Sequence, residues 1–109
     1  MTNITFQDFL VSADLTRSIE ALKYETPTPI QAAAIPVGLQ KKDILGKAQT
    51  GTGKTAAFSV PVIEHINPND KNVQALILCP TRELAIQVTR EVKNLYKFVE
   101  GIKAVSVYG

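Results

Sequence analysis

A short run of glycines, threonines and a lysine in the middle of the chain could bind a polyphosphate. It reads Ala48-Gln49-Thr50-Gly51-Thr52-Gly53-Lys54-Thr55. Gly51 and Gly53 allow tight turns and a close approach of the backbone to a ligand. Successive N–H groups can then form an anion-binding nest in front of a helix. Lys54 would place a positive charge against the β- and γ-phosphates, and the Thr55 hydroxyl would bind Mg²⁺.

This run follows the pattern of a nucleoside-triphosphate phosphate loop except at its first position, where Ala48 replaces glycine. An apolar strand precedes it and a helix follows it in the predicted order of elements, which is the context that the pattern requires. A glycine-rich turn with an unrelated lysine is the alternative. We predict catalytic roles for Lys54 and Thr55. The predicted nucleotide contacts in the loop are Thr50, Gly51, Thr52, Gly53, Lys54 and Thr55.

Helices are predicted wherever apolar residues recur at helical spacing behind a capping residue or a proline. They run from Ser12 or Asp14 to about Lys23, from Pro29 to Gln40 with an interruption at Pro36, from Gly53 or Lys54 to Ile66 with a bend at Pro61, and from Arg82 to Val99. His65 stands near the end of the third helix, where we expect a capping role rather than a catalytic one.

Three apolar segments between these helices are predicted to be strands. They are Ile44–Gly46, Val73–Cys79 and Lys103–Val107. The second is a nearly continuous apolar run, which is typical of a strand buried in a parallel sheet. Strands that alternate with helices imply right-handed crossovers and an α/β fold with a parallel sheet. Cys79 is the only cysteine, so no internal disulfide can form, and we expect a buried thiol at a strand end.

Composition and charge limit the classes of protein to which the chain can belong. The chain has 109 residues, of which 45% are apolar and 20% charged, so we expect one globular domain or part of one. A formal charge of +2 is too small to indicate nucleic-acid binding by itself. The first residues lack the basic start and apolar stretch of a secretory signal, and no apolar run approaches the roughly 20 residues of a membrane span. We therefore expect a cytoplasmic protein.

Several segments, in this order, resemble the motifs of DEAD-box RNA helicases. Thr26-Pro27-Thr28-Pro29-Ile30-Gln31 looks like the Q motif, Ala48–Thr55 has that family's alanine-first phosphate loop, Pro80-Thr81-Arg82-Glu83-Leu84-Ala85-Ile86-Gln87 is similar to motif Ia, and Tyr108-Gly109 resembles the start of the glycine-pair motif. The family's Q motif begins with a glycine and an aromatic residue. Here Lys23 replaces the glycine, Tyr24 keeps the aromatic, and Phe6 lies 17 residues before Lys23 as the family's isolated aromatic.

The resemblance implies a fold and a place within it. It predicts a three-layer P-loop NTPase (RecA-like) fold, in which helices flank a parallel sheet, incomplete at 109 residues. Residues 1–109 would be the N-terminal portion of the first RecA-like, ATP-binding domain, with residues 4–32 as the Q-motif region. The full-length protein would be an ATP-dependent RNA helicase, which couples ATP hydrolysis to duplex unwinding.

The resemblance also implies an adenine site. The Gln31 carboxamide can donate a hydrogen bond to adenine N7 and accept one from the N6 amino group. Guanine presents the acceptor O6 in place of that amino group, so the site would favour ATP over GTP. Phe6 would stack on the purine, and a backbone carbonyl near Glu25 or Thr26 would accept a second N6 hydrogen. The alternatives are a solvated helix residue for Gln31 and, for Phe6, a core aromatic packed on Leu10 or Leu15.

Motif Ia implies RNA binding at the start of the fourth helix. Pro80, Thr81, Arg82 and Glu83 are the predicted contacts, with Thr81, Arg82 and the first N–H groups of the helix on backbone phosphates. Such contacts read geometry and the 2′-hydroxyl of single-stranded or duplex RNA rather than sequence. The alternative is an ordinary helix start, with Thr81 as its cap and Glu83 in its first turn.

Neither the Asp-Glu-Ala-Asp motif nor the Ser-Ala-Thr motif of that family occurs in the chain. We therefore expect these 109 residues to bind ATP and Mg²⁺ but to hydrolyse ATP negligibly. Without neighbouring strands, Ile44–Gly46 would be an uncovered sheet edge, prone to self-association. Two other functions remain open: a different P-loop enzyme, such as a DNA helicase or a kinase, and a non-catalytic ATP- or RNA-binding module.

Overall fold

The computed structural model describes residues 4–47 and 53–108 of the chain. A short 3₁₀ helix, Phe6–Phe9, comes first. The α-helices that follow are α1 (Ala13–Ala21), α2 (Pro29–Leu39), α3 (Lys54–His65) and α4 (Arg82–Leu95). None of these helices is both long and apolar enough to cross a membrane.

Three helices begin at capping residues that the sequence predicts. The side chains of Ser12, Thr28 and Thr81 each accept a hydrogen bond from the backbone N–H three residues further on. Each cap satisfies one of the N–H groups that have no partner within the helix. The predicted starts of α1, α2 and α4 are therefore confirmed.

The prolines inside α2 and α3 do not break these helices. The predicted interruption at Pro36 is wrong, because α2 continues through it to Leu39. Each internal proline removes one backbone hydrogen bond, but α2 and α3 pack closely, and tertiary packing outweighs the local penalty. At the crossing, a Cβ on Gly38 would lie only 2.7 Å from Cγ of Pro61. The His65 ring hydrogen-bonds the Gly38 carbonyl of α2 (Nε2···O 3.1 Å), so its observed contact is with a neighbouring helix, and capping of its own helix stays a prediction.

Helix α4 ends at Leu95, four residues before the predicted end at Val99. Ser18 of α1 explains part of this difference, because its hydroxyl accepts the Phe98 N–H at 2.9 Å. This N–H therefore bonds a side chain of α1 in place of a backbone carbonyl of α4. The Tyr96 hydroxyl then accepts the Ala104 N–H at 3.0 Å, which fixes the start of the last segment.

The core lies where α1, α3 and α4 meet the 3₁₀ helix. Its buried side chains are apolar and come from every described helix: Phe6, Phe9, Leu15, Ile19, Ile35, Ala56, Val60, Ile63, Val88, Val92 and Leu95. Cys79 is half-buried and packs against this core, as a small apolar side chain would.

None of the predicted strands, Ile44–Gly46, Val73–Cys79 and Lys103–Val107, is a strand in the part of the chain that the structure describes. A strand exists only through a ladder of backbone hydrogen bonds to a neighbouring strand, and these segments form none with each other. The parallel sheet is therefore not confirmed. Most of their apolar side chains are exposed, with Leu45, Leu78 and Val107 at 101%, 84% and 89% of full exposure.

The last segment nevertheless has the burial pattern of a strand. Ile102, Ala104 and Ser106 are half-buried, whereas the residues between them are exposed. This period of two places one face against α4, where the Ser106 and Thr89 hydroxyls lie 2.6 Å apart. The other face is left without a layer to cover it.

Candidate functional site

The N-terminus of α3 carries the described end of the phosphate loop. Gly53 is the N-cap residue, with φ of +84°, a left-handed conformation that favours glycine. Lys54 is the first helical residue and is exposed, and Thr55 next to it is half-buried. The partial positive charge of a helix N-terminus therefore coincides with a lysine ammonium group. The other predicted loop contacts, Thr50, Gly51 and Thr52, lie outside the described residues.

Gln31 joins the Q-motif segment to this loop. Its side chain is buried, with 5% exposure, which rules out the alternative of a solvated helix residue. Its Oε1 accepts the Thr28 backbone N–H at 2.9 Å, and its Nε2 donates to the Gly53 carbonyl at 3.2 Å. One carboxamide thus holds the start of α2 and the cap of α3 together.

The contact between these segments leaves no room for a side chain at Gly53. A Cβ there would collide with Nε2 of Gln31 and lie 3.1 Å from Oγ1 of Thr28. Glycine is therefore required both by the backbone angle and by the neighbouring carboxamide. Thr28 was not among the predicted site residues, although Thr28 and Gln31 have the spacing of a capping box.

Phe6 is a buried aromatic residue in this structure. Its ring packs edge-on against Phe9 with centroids 5.5 Å apart and lies 5.6 Å from the Tyr24 ring. It belongs to the same core as Leu15, whereas Leu10 is exposed. The packing role is therefore present, and stacking on a purine stays a prediction.

A backbone carbonyl near Glu25 or Thr26 was predicted to bind the nucleotide. The Glu25 carbonyl accepts the Phe6 N–H at 3.0 Å, which uses one of its two lone pairs. Thr26 is exposed beside it. The 3₁₀ helix is thereby tied to the Q-motif segment.

The start of α4 presents the predicted RNA contacts. Pro80, Thr81, Arg82 and Glu83 are all exposed. Thr81 caps the helix, because its Oγ1 accepts the Leu84 N–H at 3.1 Å. The alternative of a capped helix start is thus observed, and it uses the same geometry as a phosphate site.

Arg82 also makes a contact that was not predicted from the sequence. The Arg82 guanidinium lies over the Tyr108 ring, 5.0 Å from its centroid, a cation–π distance. The start of α4 and the Tyr108 segment, both singled out as motifs, are therefore adjacent. Their separation in the chain gives no local signal for this pairing.

A metal ion would find few protein ligands here. Within residues 4–47 and 53–108, no group of three or more His, Cys, Asp or Glu side chains could hold an ion. The Thr55 hydroxyl at the start of α3 can supply one oxygen ligand. A Mg²⁺ ion at this place would therefore take its remaining ligands from phosphate oxygens and water, as Mg²⁺ commonly does.

Comparison with known protein families and sequences gives consistent matches. The DEAD/DEAH box helicase family matches residues 28–109. The chain is 55% identical over 108 residues to the DEAD-box ATP-dependent RNA helicase CshA of Bacillus licheniformis, covering 97% of this chain and 22% of that protein. It is 46% identical to the ATP-dependent RNA helicase DeaD of Escherichia coli K12, covering 96% of this chain and 17% of that protein. The chain thus spans about a fifth of these relatives' length.

Solved structures give the same result. Saccharomyces cerevisiae Dbp5 bound to RNA and ADP BeF3 matches with a TM-score of 0.84 at 37% identity, covering 88% of this chain and 25% of that one. A DEAD box protein from Methanococcus jannaschii matches with a TM-score of 0.80 at 42% identity, covering 84% and 25%. The arrangement of the described elements therefore resembles that of DEAD-box proteins.

Proposed function

Because this chain belongs to the DEAD/DEAH box helicase family, we propose that it acts as the N-terminal portion, residues 1–109, of the first RecA-like, ATP-binding domain of an ATP-dependent RNA helicase. Residues 4–32 would be its Q-motif region. The full-length enzyme would couple ATP hydrolysis to RNA duplex unwinding. Relatives named as ATP-dependent RNA helicases, which are enzymes, support this proposal.

Within this function, the chain's own task is to bind ATP. The observation that carries the proposal is the buried contact of Gln31 with the Gly53 carbonyl, directly before Lys54. A group able to read adenine is thereby fixed next to a helix N-terminus able to bind phosphates. A P-loop enzyme that does not distinguish between bases would not require this contact between Gln31 and Gly53.

Lys54 and Thr55 would contribute to the chemistry when the full-length enzyme hydrolyses ATP. The Lys54 ammonium group would neutralise charge on the β- and γ-phosphates, and the Thr55 hydroxyl would hold Mg²⁺, which balances the remaining charge. The contacts from Thr50 to Thr52 complete the proposed cradle. The family's acidic motif does not occur in these 109 residues, so we propose that they bind ATP and hydrolyse it negligibly.

RNA binding is the second part of the proposal. The exposed start of α4 offers the Arg82 guanidinium and the N–H groups of its first turn to backbone phosphates, with Pro80, Thr81 and Glu83 around them. Dbp5, whose structure was solved with RNA, matches this chain. Contacts of this kind bind RNA without regard to its sequence.

Two further expectations belong to the same proposal. The uncovered apolar segments, among them Ile44–Gly46, would allow self-association of the chain through unpaired backbone groups. A cytoplasmic location is the second expectation, and imaging a fluorescent fusion of the full-length protein would test it.

A comparison of ATP and GTP binding tests the nucleotide assignment. Both nucleotides would be titrated with Mg²⁺ into the unaltered chain, the Gln31→Ala variant and, as control, Gln87→Ala on the exposed side of α4. We expect Gln31→Ala to weaken ATP binding about tenfold more than GTP binding, since one bidentate base contact contributes about 1–3 kcal/mol. Gln87→Ala should bind both nucleotides as the unaltered chain does. Equal ATP affinity in all three proteins would contradict an adenine-reading site and would favour a base-blind enzyme.

A further inference from the structure

The carboxylate of Glu64 joins the end of α3 to the start of α1. Both of its oxygens lie 3.1 Å from the backbone nitrogen of Ser12, whose N–H they accept, although 52 positions separate the two residues in the chain. We infer that this bond makes Glu64 a positioning residue, which holds the purine side of the nucleotide site in register with its phosphate side. This inference rests on the proposed function.

Local helix stability does not explain a glutamate at this place. Glu64 lies in the last turn of α3, where a carboxylate faces the negative end of the helix dipole. It forms no ion pair within the described part of the chain, so its charge is directed at the Ser12 N–H. Ser12 is the N-cap residue of α1, and such an N–H has no partner inside its own helix. The bond is therefore a long-range, charge-assisted one, a class that is about twice as strong as a neutral hydrogen bond.

A cleft lies between the start of α1 and the end of α3. Its volume is about 590 Å³, and Ser12, Ile63, Glu64 and Phe98 are among the residues that line it. Helix α1 packs mainly against α4 and the 3₁₀ helix. The Glu64 carboxylate therefore bridges a gap that apolar packing does not fill.

The start of α1 is tied in turn to the 3₁₀ helix that carries Phe6. Only two residues lie between Phe9, the last residue of the 3₁₀ helix, and Ser12. The Gln7 side-chain NH₂ group donates to the Glu20 carboxylate of α1 at 3.2 Å. The 3₁₀ helix and α1 therefore form one unit, and a shift at Ser12 would move Phe6 as well.

Two hydrogen bonds would then set the position of this unit relative to a nucleotide. The Phe6 N–H bonds the Glu25 carbonyl at 3.0 Å on the purine side, and Glu64 holds the start of α1. Helix α3 has Lys54 at its first position and Glu64 in its last turn, so it links α1 to the phosphate side. Loss of the Glu64 bond should therefore weaken contacts with the purine and spare contacts with the phosphates.

The bond can be removed from either side. Glu64→Ala deletes the acceptor, and Glu91→Ala, at another half-buried glutamate, on α4, is its control. Ser12 has φ of −54°, close to the angle that a proline ring imposes, so Ser12→Pro fits the backbone and deletes the N–H together with the hydroxyl. Ser12→Ala deletes the hydroxyl and keeps the N–H, so it is the matched control for the proline.

The experiment measures the ratio of the affinities for ATP and for inorganic tripolyphosphate, both with Mg²⁺, because only ATP carries the nucleoside. We expect Glu64→Ala and Ser12→Pro each to lower this ratio about fivefold, the lower end of the contribution of one base–aromatic stack. Ser12→Ala and Glu91→Ala should keep the ratio of the unaltered chain. The double variant Glu64→Ala with Ser12→Pro should lower it no further than either single change, because both delete the same bond.

A purely structural role for Glu64 would weaken binding of both ligands together and keep the ratio. An unchanged ratio in Glu64→Ala or in Ser12→Pro, with ATP binding by the unaltered chain, would overturn the positioning role and leave the proposed function standing. If the unaltered chain binds neither ligand, the proposed function fails, and the inference fails with it.

Circular dichroism shows whether each variant folds. If Glu64→Ala does not fold, Glu64→Asp takes its place, since it keeps the charge and shortens the side chain by one methylene, and the same ratio decides. If Ser12→Pro does not fold, the Glu64 variant decides alone.

Discussion

Lys23 adopts a left-handed backbone conformation, with φ of 60°, at the position where the Q motif of DEAD-box helicases begins with glycine. Its N–H donates to the Glu20 carbonyl at 2.8 Å, so this angle turns the chain out of α1. A residue with a Cβ has about 1–2 kcal/mol of strain there. The family's glycine thus has a conformational reason, and this chain tolerates its loss.

Restoring that glycine should stabilise the protein. We expect Lys23→Gly to raise the free energy of unfolding by about 0.5–1 kcal/mol, because relief of strain exceeds the extra entropy of glycine in the unfolded chain. Urea unfolding would measure the change. Lys42→Gly is the control, since Lys42 is not among the described residues with positive φ and should lose stability. A loss of stability in Lys23→Gly as well would contradict the strain argument.

Arg82 is the residue with which to test RNA binding. We expect Arg82→Ala to weaken binding of single-stranded RNA to a similar degree for different sequences, and to reduce the salt dependence of the affinity by about one phosphate contact. Fluorescence anisotropy at several salt concentrations would measure both effects. Arg90→Ala, on the exposed surface two turns further along α4, is the control. Similar losses in both variants would indicate nonspecific charge attraction rather than a site.

At the scale of elements, the local features of the helices could be predicted from the sequence. Ser12, Thr28 and Thr81 cap helices because the interaction involves only the next three residues. The errors at Pro36 and Val99 have a non-local cause. Contact with α3 keeps α2 continuous, and a serine on α1 helps to end α4, and neither can be inferred from a window of the sequence.

A substitution of Ser18 tests quantitatively whether its hydrogen bond to the segment after α4 stabilises the protein. Its buried hydroxyl donates to the Asp14 carbonyl at 3.0 Å and accepts the Phe98 N–H. We expect Ser18→Ala to lower the free energy of unfolding by about 1–3 kcal/mol, because it leaves the Phe98 N–H without its partner. Urea or thermal unfolding would measure the loss.

Ser59 is the matched control for this substitution. It is equally buried, but its Oγ has no hydrogen-bond partner among the described residues. Ser59→Ala should therefore leave stability nearly unchanged or raise it slightly. If both variants lost the same stability, the hydrogen bond of Ser18 would not be the cause.

In the candidate site, as in the helices, local features could be predicted from the sequence and long-range contacts could not. The phosphate loop could be found from its residue spacing, and Gln31 from its resemblance to the Q motif. The bond from Gln31 to Gly53 and the stacking of Arg82 on Tyr108 could not, because each joins segments that are distant in the chain. The predicted strands are not confirmed for a similar reason, since the formation of a strand depends on its neighbouring strand as much as on its own residues.

At the scale of the whole molecule, the apolar segments without a covering layer determine behaviour in solution. Leu78 and Val107 are almost fully exposed. Unpaired backbone and apolar side chains together favour pairing with a second chain. The described molecule therefore has a helical side with a closed core and an open side that can still form contacts.

This open side should make the chain self-associate. We expect sedimentation velocity to detect an increase in mass with concentration, and Leu78→Lys with Val107→Lys to reduce it, because charges oppose pairing of apolar edges. Gln87→Lys, which adds a charge on the exposed side of α4, is the control. A chain that stays monomeric at all concentrations would contradict self-association through these segments.

The most direct test of the account is calorimetric titration of ATP with Mg²⁺ into the Lys54→Ala variant. Lys71→Ala, which removes an exposed lysine beyond the opposite end of α3, is the control. Because a lysine at the phosphate loop contacts the β- and γ-phosphates, we expect Lys54→Ala to weaken ATP binding by about tenfold or more and Lys71→Ala to leave it unchanged. ATP binding by Lys54→Ala at the affinity of the unaltered chain would contradict the nucleotide site and the functions built on it.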